Sequence, residues 1–361
     1  MNRWVTATGS LLLASMWVAA VPASRSGPMT AGEHGLAADT LVLPPRLVDT
    51  GLYADDQLHT PAAGVRAFSP QYPLWSDGMT KRRWVLLPAG ATIDATDEYA
   101  WDFPVGTRLW KEFSLDGRRV ETRVFWRVSP NRWLSGAYVW NETGTDAVLA
   151  PEEGLPGHVE VAPGRRHSIP GQGDCAACHG EGARVRVLGF NALQLSTDRD
   201  PAAPHGEPLA PGMVTLETLE TEGRLSPARP ARLSAPPRIA TADPSTRAML
   251  GYLAANCGMC HDGQGAIAGF NASLAYRDVV ADADAVVARL LEQPTRWQVP
   301  GQPPGGSVLL RAGKPEESAM FVRMRSRSPS SQMAPLGSVL RDTDALDAMT
   351  RWIAVNLAPT Q

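Results

Sequence analysis

The chain has 361 residues, 43% hydrophobic and 20% charged, with a formal net charge of −3 at neutral pH. That length accommodates two or three domains, and the apolar content sustains packed cores. The near-balance of charge excludes a polycationic nucleic-acid or membrane-surface binder, while 33 Gly and 31 Pro predict many turns and linkers rather than continuous disorder.

The chain opens "MNRWVTATGSLLLASMWVAAVPASRSG". Arg3 supplies a positive start, Leu11 to Val21 an apolar run, and Val21-Pro22-Ala23 a small-residue cleavage site, the pattern of a secretory signal peptide over residues 1–23. The run is too short to span a bilayer comfortably, and no later segment offers about 18 uninterrupted apolar residues. The expectation is a mature periplasmic protein, cleaved near Ala23, with no stable membrane insertion.

Residues 36–165 contain no Cys and hold seven of the eleven Trp, at 75, 84, 101, 110, 126, 133 and 140. "TRLWKEFSLDGRRVETRVFWRVSPNRWLSGAYVWN" reads as a meander, with Asp116-Gly117 as a two-residue hairpin turn. Val120, Thr122, Val124, Trp126 and Val128 alternate with Glu121, Arg123, Phe125 and Arg127, a period of two with one buried face. With "KRRWVLL" ahead of it, the region predicts an antiparallel β-sandwich or jelly-roll. The tryptophans are read as core and cross-strand stacking rather than a ligand platform. Asp77, Glu112 and Glu121 are read as solvated charges, and "YPLWSDGMTKRRW" as a possible partner-docking surface.

The four cysteines form two copies of one pattern, "CAACH" (Cys175, Cys178, His179) and "CGMCH" (Cys257, Cys260, His261). Zinc sites built from two CxxC pairs usually space them about 15–20 residues apart; here Cys178 and Cys257 are 79 apart, and the appended His is unexplained. A thioredoxin-like pair wants a βαβ setting that neither copy has. Disulfides are compatible with export, but a bridge between residues three apart constrains little. Two covalently attached c-type haems use every residue: the thiols for attachment, His179 and His261 as proximal iron ligands.

Both motifs resemble those of bacterial c-type cytochromes. The last segment, residues 241–361, resembles a class I cytochrome c domain, and the whole chain resembles periplasmic diheme cytochromes with a β-rich region ahead of two haem segments. The fold class expected is therefore multidomain: a β-rich domain over 36–165, then two mainly α-helical haem domains over 166–235 and 241–361.

The first haem segment is entered through a loop containing Pro170, Gly171 and Gly173. His205, in "DPAAPHGEP", leads the candidates for its sixth iron ligand. Met213 in "APGMVTLETLETEG", His167 upstream and an open position are the alternatives. A Pro-rich connection over 225–244 follows.

In the second haem segment Asp243 and Pro244 predict a helix start. Met249, Leu250 and Leu253 make an apolar stripe that delivers Cys257 and His261. A helix is predicted near 277–293. A closing amphipathic helix is predicted over 342–357, capped by Asp342 or Thr343, with Leu346, Met349, Ile353 and Leu357 near one face. Met333, in the Pro/Gly loop "SSQMAPLGS", resembles the methionine loop of cytochromes c and is the expected distal ligand of the second haem. Met320 and Met324, on a predicted helix, are read as core.

The function these readings imply is single-electron transfer between redox partner proteins, with no catalytic residue assigned. The alternative is a diheme peroxidase-like oxidoreductase with an open site at the first haem. A weaker third is a ligand-binding module whose haems report binding.

Overall fold

Alternating apolar and charged residues favour extended chain, and the longest such runs become the central strands of one antiparallel sheet. The computed structural model describes residues 41–182, 185–228, 235–263 and 272–358. The export signal read at 1–23 and the first residues of the β-rich region, 36–40, lie outside them.

The sheet contains β1 (Arg66–Ala67), β2 (Thr80–Leu86), β4 (Arg108–Leu115), β5 (Arg118–Ser129), β6 (Arg132–Trp140) and β7 (Ala147–Leu149), paired in that order. A short β3 (Ile93–Asp94) lies in the β2–β4 connection. Asp116 and Gly117 join β4 to β5 with φ of 49° and 77°. That left-handed pair suits the twist of a two-residue hairpin.

One sheet face carries Trp84, Trp110, Val124, Tyr138 and Trp140 against Leu47, Leu52, Tyr53 and Leu58 from the preceding segment. Trp110 Nε1 donates to Thr50 Oγ1 and Trp140 Nε1 to Thr122 Oγ1, both at 3.0 Å. These tryptophans are structural, as expected. Trp126 is only half-buried, under the Arg108 guanidinium at 4.2 Å.

The opposite face, predicted to meet solvent, is also covered. At one end Val85, Leu109, Phe125 and Trp133 meet Phe68, Phe103, Phe190 and Leu195. At the other, Phe113 and Ala137 meet Met79, Val159 and Ile169. The last two belong to a hairpin of β8 (Leu155–Ala162) and β9 (Arg165–Ile169).

The expectation of two mainly helical haem domains is overturned. The dominant element is the single six-stranded antiparallel sheet, and the seven α-helices among the described residues are short, at most 13 residues. The described residues of 166–235 supply only β9, α1 (Gln172–His179), α2 (Leu216–Thr221) and β10 (Leu225–Ser226), which pairs in parallel with β3. The physical reason lies in where the apolar side chains of that segment go. Phe190, Leu195, Val214, Leu216, Leu219 and Leu225 join one core with Val85 and Leu109 of the sheet instead of closing a separate helical core. Among the described residues no second sheet of comparable size packs on the first, so the sandwich is also replaced by a single sheet with loops and α1 on its far side.

The remaining helices are α3 (Pro244–Asn256), α4 (Tyr276–Ala281), α5 (Ala283–Leu290), α6 (Ala319–Arg325) and α7 (Thr343–Arg351), the last continuing into a π turn over Trp352–Asn356. Asp243 caps α3 as expected, accepting from Ser245 N and Thr246 N. The single helix predicted near 277–293 is two, broken at Asp282, whose side chain caps α5. α3 is buried from Thr246 to Ala255 rather than along one stripe. One neighbour is Tyr72, whose ring leaves no room at Gly251: a Cβ there would stand 2.1 Å from Tyr72 Cε1. Trp75 N donates to Asn256 Oδ1 at 2.9 Å. The "YPLWSDG" part of that stretch is thus an internal strap between the sheet and α3.

Candidate functional site

Pro170 and Gly171 end β9 and start α1. Gly171 is required by space, since a Cβ would stand 2.7 Å from the Glu153 carbonyl carbon. Its N–H donates to Asp174 Oδ2 at 3.1 Å, fixing the first turn. Cys175 and Cys178 then share a helix face, and His179 closes the helix. Arg186 folds back on it: Arg186 N donates to the His179 carbonyl at 2.7 Å, and His179 Nδ1 donates to the Arg186 carbonyl at 2.8 Å. A carbonyl only accepts, so the proton is on Nδ1 and the Nε2 lone pair is exposed for a metal. Burial pushes the imidazolium pKa down to about 4, so the ring is neutral at physiological pH. The Phe125 ring lies 4.5 Å from the His179 ring.

The second motif leaves the C-terminal end of α3. Cys257 N donates to the Leu253 carbonyl, and His261 N donates to the Cys257 carbonyl at 2.9 Å. Leu274 N donates to the His261 carbonyl at 2.7 Å, tying the motif to the chain ahead of α4. Burial pushes the Cys257 thiol up to about 12 and lowers the His261 imidazolium.

The fold brings the two motifs together. Cys260 is close enough to Cys178 that, after burial, its charge is the largest influence raising the Cys178 pKa. Arg186, which orients His179, reaches the second motif with its guanidinium: it donates to the Met259 carbonyl at 2.8 Å and pairs with Asp262 at 3.3 Å. No spacing in the sequence announced this residue as the clasp between the motifs.

All four cysteines are free thiols, and the pKa of each is raised chiefly by burial. Thiol-disulfide catalysis needs the opposite shift. Among the described residues no three His, Cys, Asp or Glu side chains gather to hold a metal ion directly. The donor set that does exist, two protonated thiols beside a neutral imidazole with its Nδ1 proton anchored on a carbonyl, fits covalent haem at the first motif. The second motif repeats the donors.

The candidate sixth ligands are dispersed. His205 Nε2 donates to Asp342 Oδ1 at 2.8 Å. That carboxylate also caps α7 through Ala345 N and accepts from Tyr252 on α3, so His205 serves the helical part of the molecule. Met213 Sδ accepts from Ala210 N at 3.4 Å. His167 is 2% exposed and donates through Nδ1 to Asp77 Oδ2 at 2.7 Å, with Nε2 3.5 Å from Glu121 Oε1. Each candidate for the first haem is engaged elsewhere. Met333 is half-buried, its N–H donating to the Arg323 carbonyl at 3.1 Å, and the Arg323 charge lies near enough to His261 to lower its pKa.

Asp77 and Glu121, read from sequence as solvated, are 1% and 0% exposed, and Glu112 is 1% exposed. Asp77 Oδ1 accepts from Val339 N and Leu340 N at 2.8 and 2.9 Å. Through His167 this chain of contacts reaches Glu121, which accepts two bonds from Arg123, at 3.0 and 2.6 Å. Arg123 in turn feels the charges of Cys175 and Cys178. A buried network thus runs from the loop beyond Met333 to the first motif. Its only trace in the sequence was the charged half of the β5 alternation.

Compared with protein-family models, curated proteins and solved structures, the chain has no match. No described helix is long and apolar enough to cross a membrane.

Proposed function

We propose that the chain is an exported diheme c-type cytochrome that carries single electrons between redox partner proteins. The observation that carries this reading is the His179 Nδ1 contact with the Arg186 carbonyl; such a bond fixes the ring and leaves Nε2 free to bind a metal. Cys175 and Cys178 would hold one porphyrin and Cys257 and Cys260 the other, with His179 and His261 as donors to the irons. Bound there, haem supplies a one-electron ferric–ferrous couple. The protein keeps both imidazoles neutral by burial and clasps the two motifs through Arg186, which favours electron exchange between them. Met333, held beside Arg323, is proposed as a further donor to the second iron.

The test is to express the full chain in a bacterium with periplasmic c-type maturation. Two haems per chain should survive denaturing electrophoresis and acid extraction, and the four cysteines should resist alkylation. Haem that extracts freely, or thiols that alkylate, would sink the reading.

One observation favours the peroxidase-like alternative at the first haem: His205, Met213 and His167 are all otherwise engaged. An electron paramagnetic resonance spectrum of the oxidised protein decides between the two. Two low-spin signals support transfer alone, whereas a high-spin signal lost on adding peroxide supports an open, reactive first site.

A further inference from the structure

Strand register places Arg83 opposite Lys111 and Lys111 opposite Arg123, so three cations form one row across β2, β4 and β5. Like charges directly opposite one another destabilise a sheet. Lys81 stands one row away on the same face, opposite Phe113, which in turn faces Glu121. The carboxylates bonded to these four cations are Glu207, on Arg83 at 2.7 Å, and Glu121, on Arg123. Among the described residues neither Lys81 nor Lys111 has an ion-pair partner. Arg83 is 5% exposed, and its Nη2 has no hydrogen-bond partner. Lys81 and Lys111 are half-buried, with Lys111 Nζ 5.0 Å from the Phe113 ring centroid; the uncompensated guanidinium nitrogen of buried Arg83 beside them is costly unless an anion joins it.

We infer that the row of Arg83, Lys111 and Arg123 is a carboxylate seat, taking the propionates of the haem held by Cys175 and Cys178. The inference rests on the haem reading above. Its position favours the first motif: Phe125, two residues from Arg123 on the same face of β5, has its ring 4.5 Å from the His179 ring. Its sign also suits a carboxylate: the three cations of the row exceed the two carboxylates bonded to them, Glu207 and Glu121. Lys111 itself is driven well below the usual lysine range, by burial first and then by Arg83, Lys81 and Arg123.

The test uses the haem-loaded full chain with Lys111→Met, Lys111→Arg and Arg83→Met. The readouts are the propionate bending band in resonance Raman spectra and the two midpoint potentials from a spectroelectrochemical titration. Losing a positive charge beside the propionates should shift the band. It should also make one haem harder to reduce by about tenfold, about 59 mV for one electron, with the other potential unmoved and Lys111→Arg restoring both readouts. Unchanged band and potentials in both Met variants, with haem content intact, would overturn the seat while leaving the cytochrome reading standing. If inorganic phosphate or sulfate shifts the band in the unmodified protein and Lys111→Met abolishes that response, the row serves a free oxyanion and the propionate assignment is wrong. A wild-type chain without covalent haem defeats the cytochrome reading itself, and this inference with it.

Discussion

The two CxxCH motifs have the same chemistry and opposite supports. The first rides on α1, an eight-residue helix on which Cys175, Cys178 and His179 are only half-buried. Everything that shapes its surroundings comes from elsewhere: Phe125 and Arg123 from β5, Lys111 from β4, and the Arg186 carbonyl. The second terminates α3, which is buried along most of its length and locked by Tyr72 and by the Trp352 Nε1 bond to Thr246. One motif is positioned by cross-strand side chains, the other by helix packing. Five residues suffice for attachment, but the environment that would tune each iron is supplied by unrelated parts of the fold.

That contrast can be broken directly. Replacing Cys175 and Cys178 together by Ser should remove one of two haems and leave the thermal melt of the fold nearly unchanged. The same replacement at Cys257 and Cys260 should remove the other haem and lower the melting temperature, because Cys257 packs into the helical core. Haem content by the reduced pyridine adduct, together with a melt, checks both; equal melts would erase the distinction. Next in size, Asp77→Ala strands His167 and two backbone N–H groups in the interior and should cost about 4 kcal/mol in urea unfolding. Gly251→Ala drives a methyl into Tyr72 and should cost about 2 kcal/mol, with the ferric spectrum of the second haem perturbed more than that of the first.

Smaller effects sharpen the comparison. His205→Gln should cost about 1 kcal/mol by weakening the Asp342 contact and leave both haem spectra unchanged; a spectral change would restore His205 as a ligand. The mildest effect is in pH. Burial alone would lower the His167 pKa, but hydrogen bonds to Asp77 and Glu121 outweigh it and the pKa is raised. Its stabilisation is therefore complete below about pH 6.5 and fades as pH rises through the raised value. Glu121 runs the other way. Burial raises it, yet Arg123 and His167 outweigh that and hold it at about 2, so its contribution is present above about pH 4.5 and lost as pH falls toward 2. Urea midpoints across pH 3 to 9 should show both slopes, and His167→Gln should flatten the alkaline one.

Much of the local structure was legible in advance. The Asp116-Gly117 turn, the strands around it, the Asp243 cap and the Asp342 cap all rest on interactions within a few residues. So does each CxxCH motif, whose spacing carries its chemistry on one short stretch. What failed were statements about which surfaces meet. The alternation in β5 correctly named two faces, but nothing local said that the face with Glu121, Arg123 and Phe125 would be roofed by α1 and residues beyond 185. Phe190 and Leu195 read equally well as the core of a small helical domain, and only the fold shows that they complete the sheet. His205 looked available because its partner, Asp342, lies 137 residues away. Local backbone preference and motif spacing therefore determined the elements and the candidate haem donors. Burial of apolar surface from distant segments, which depends on shape and register rather than on neighbours in sequence, decided that the two motifs meet at Arg186 and that one of them lies over a row of cations.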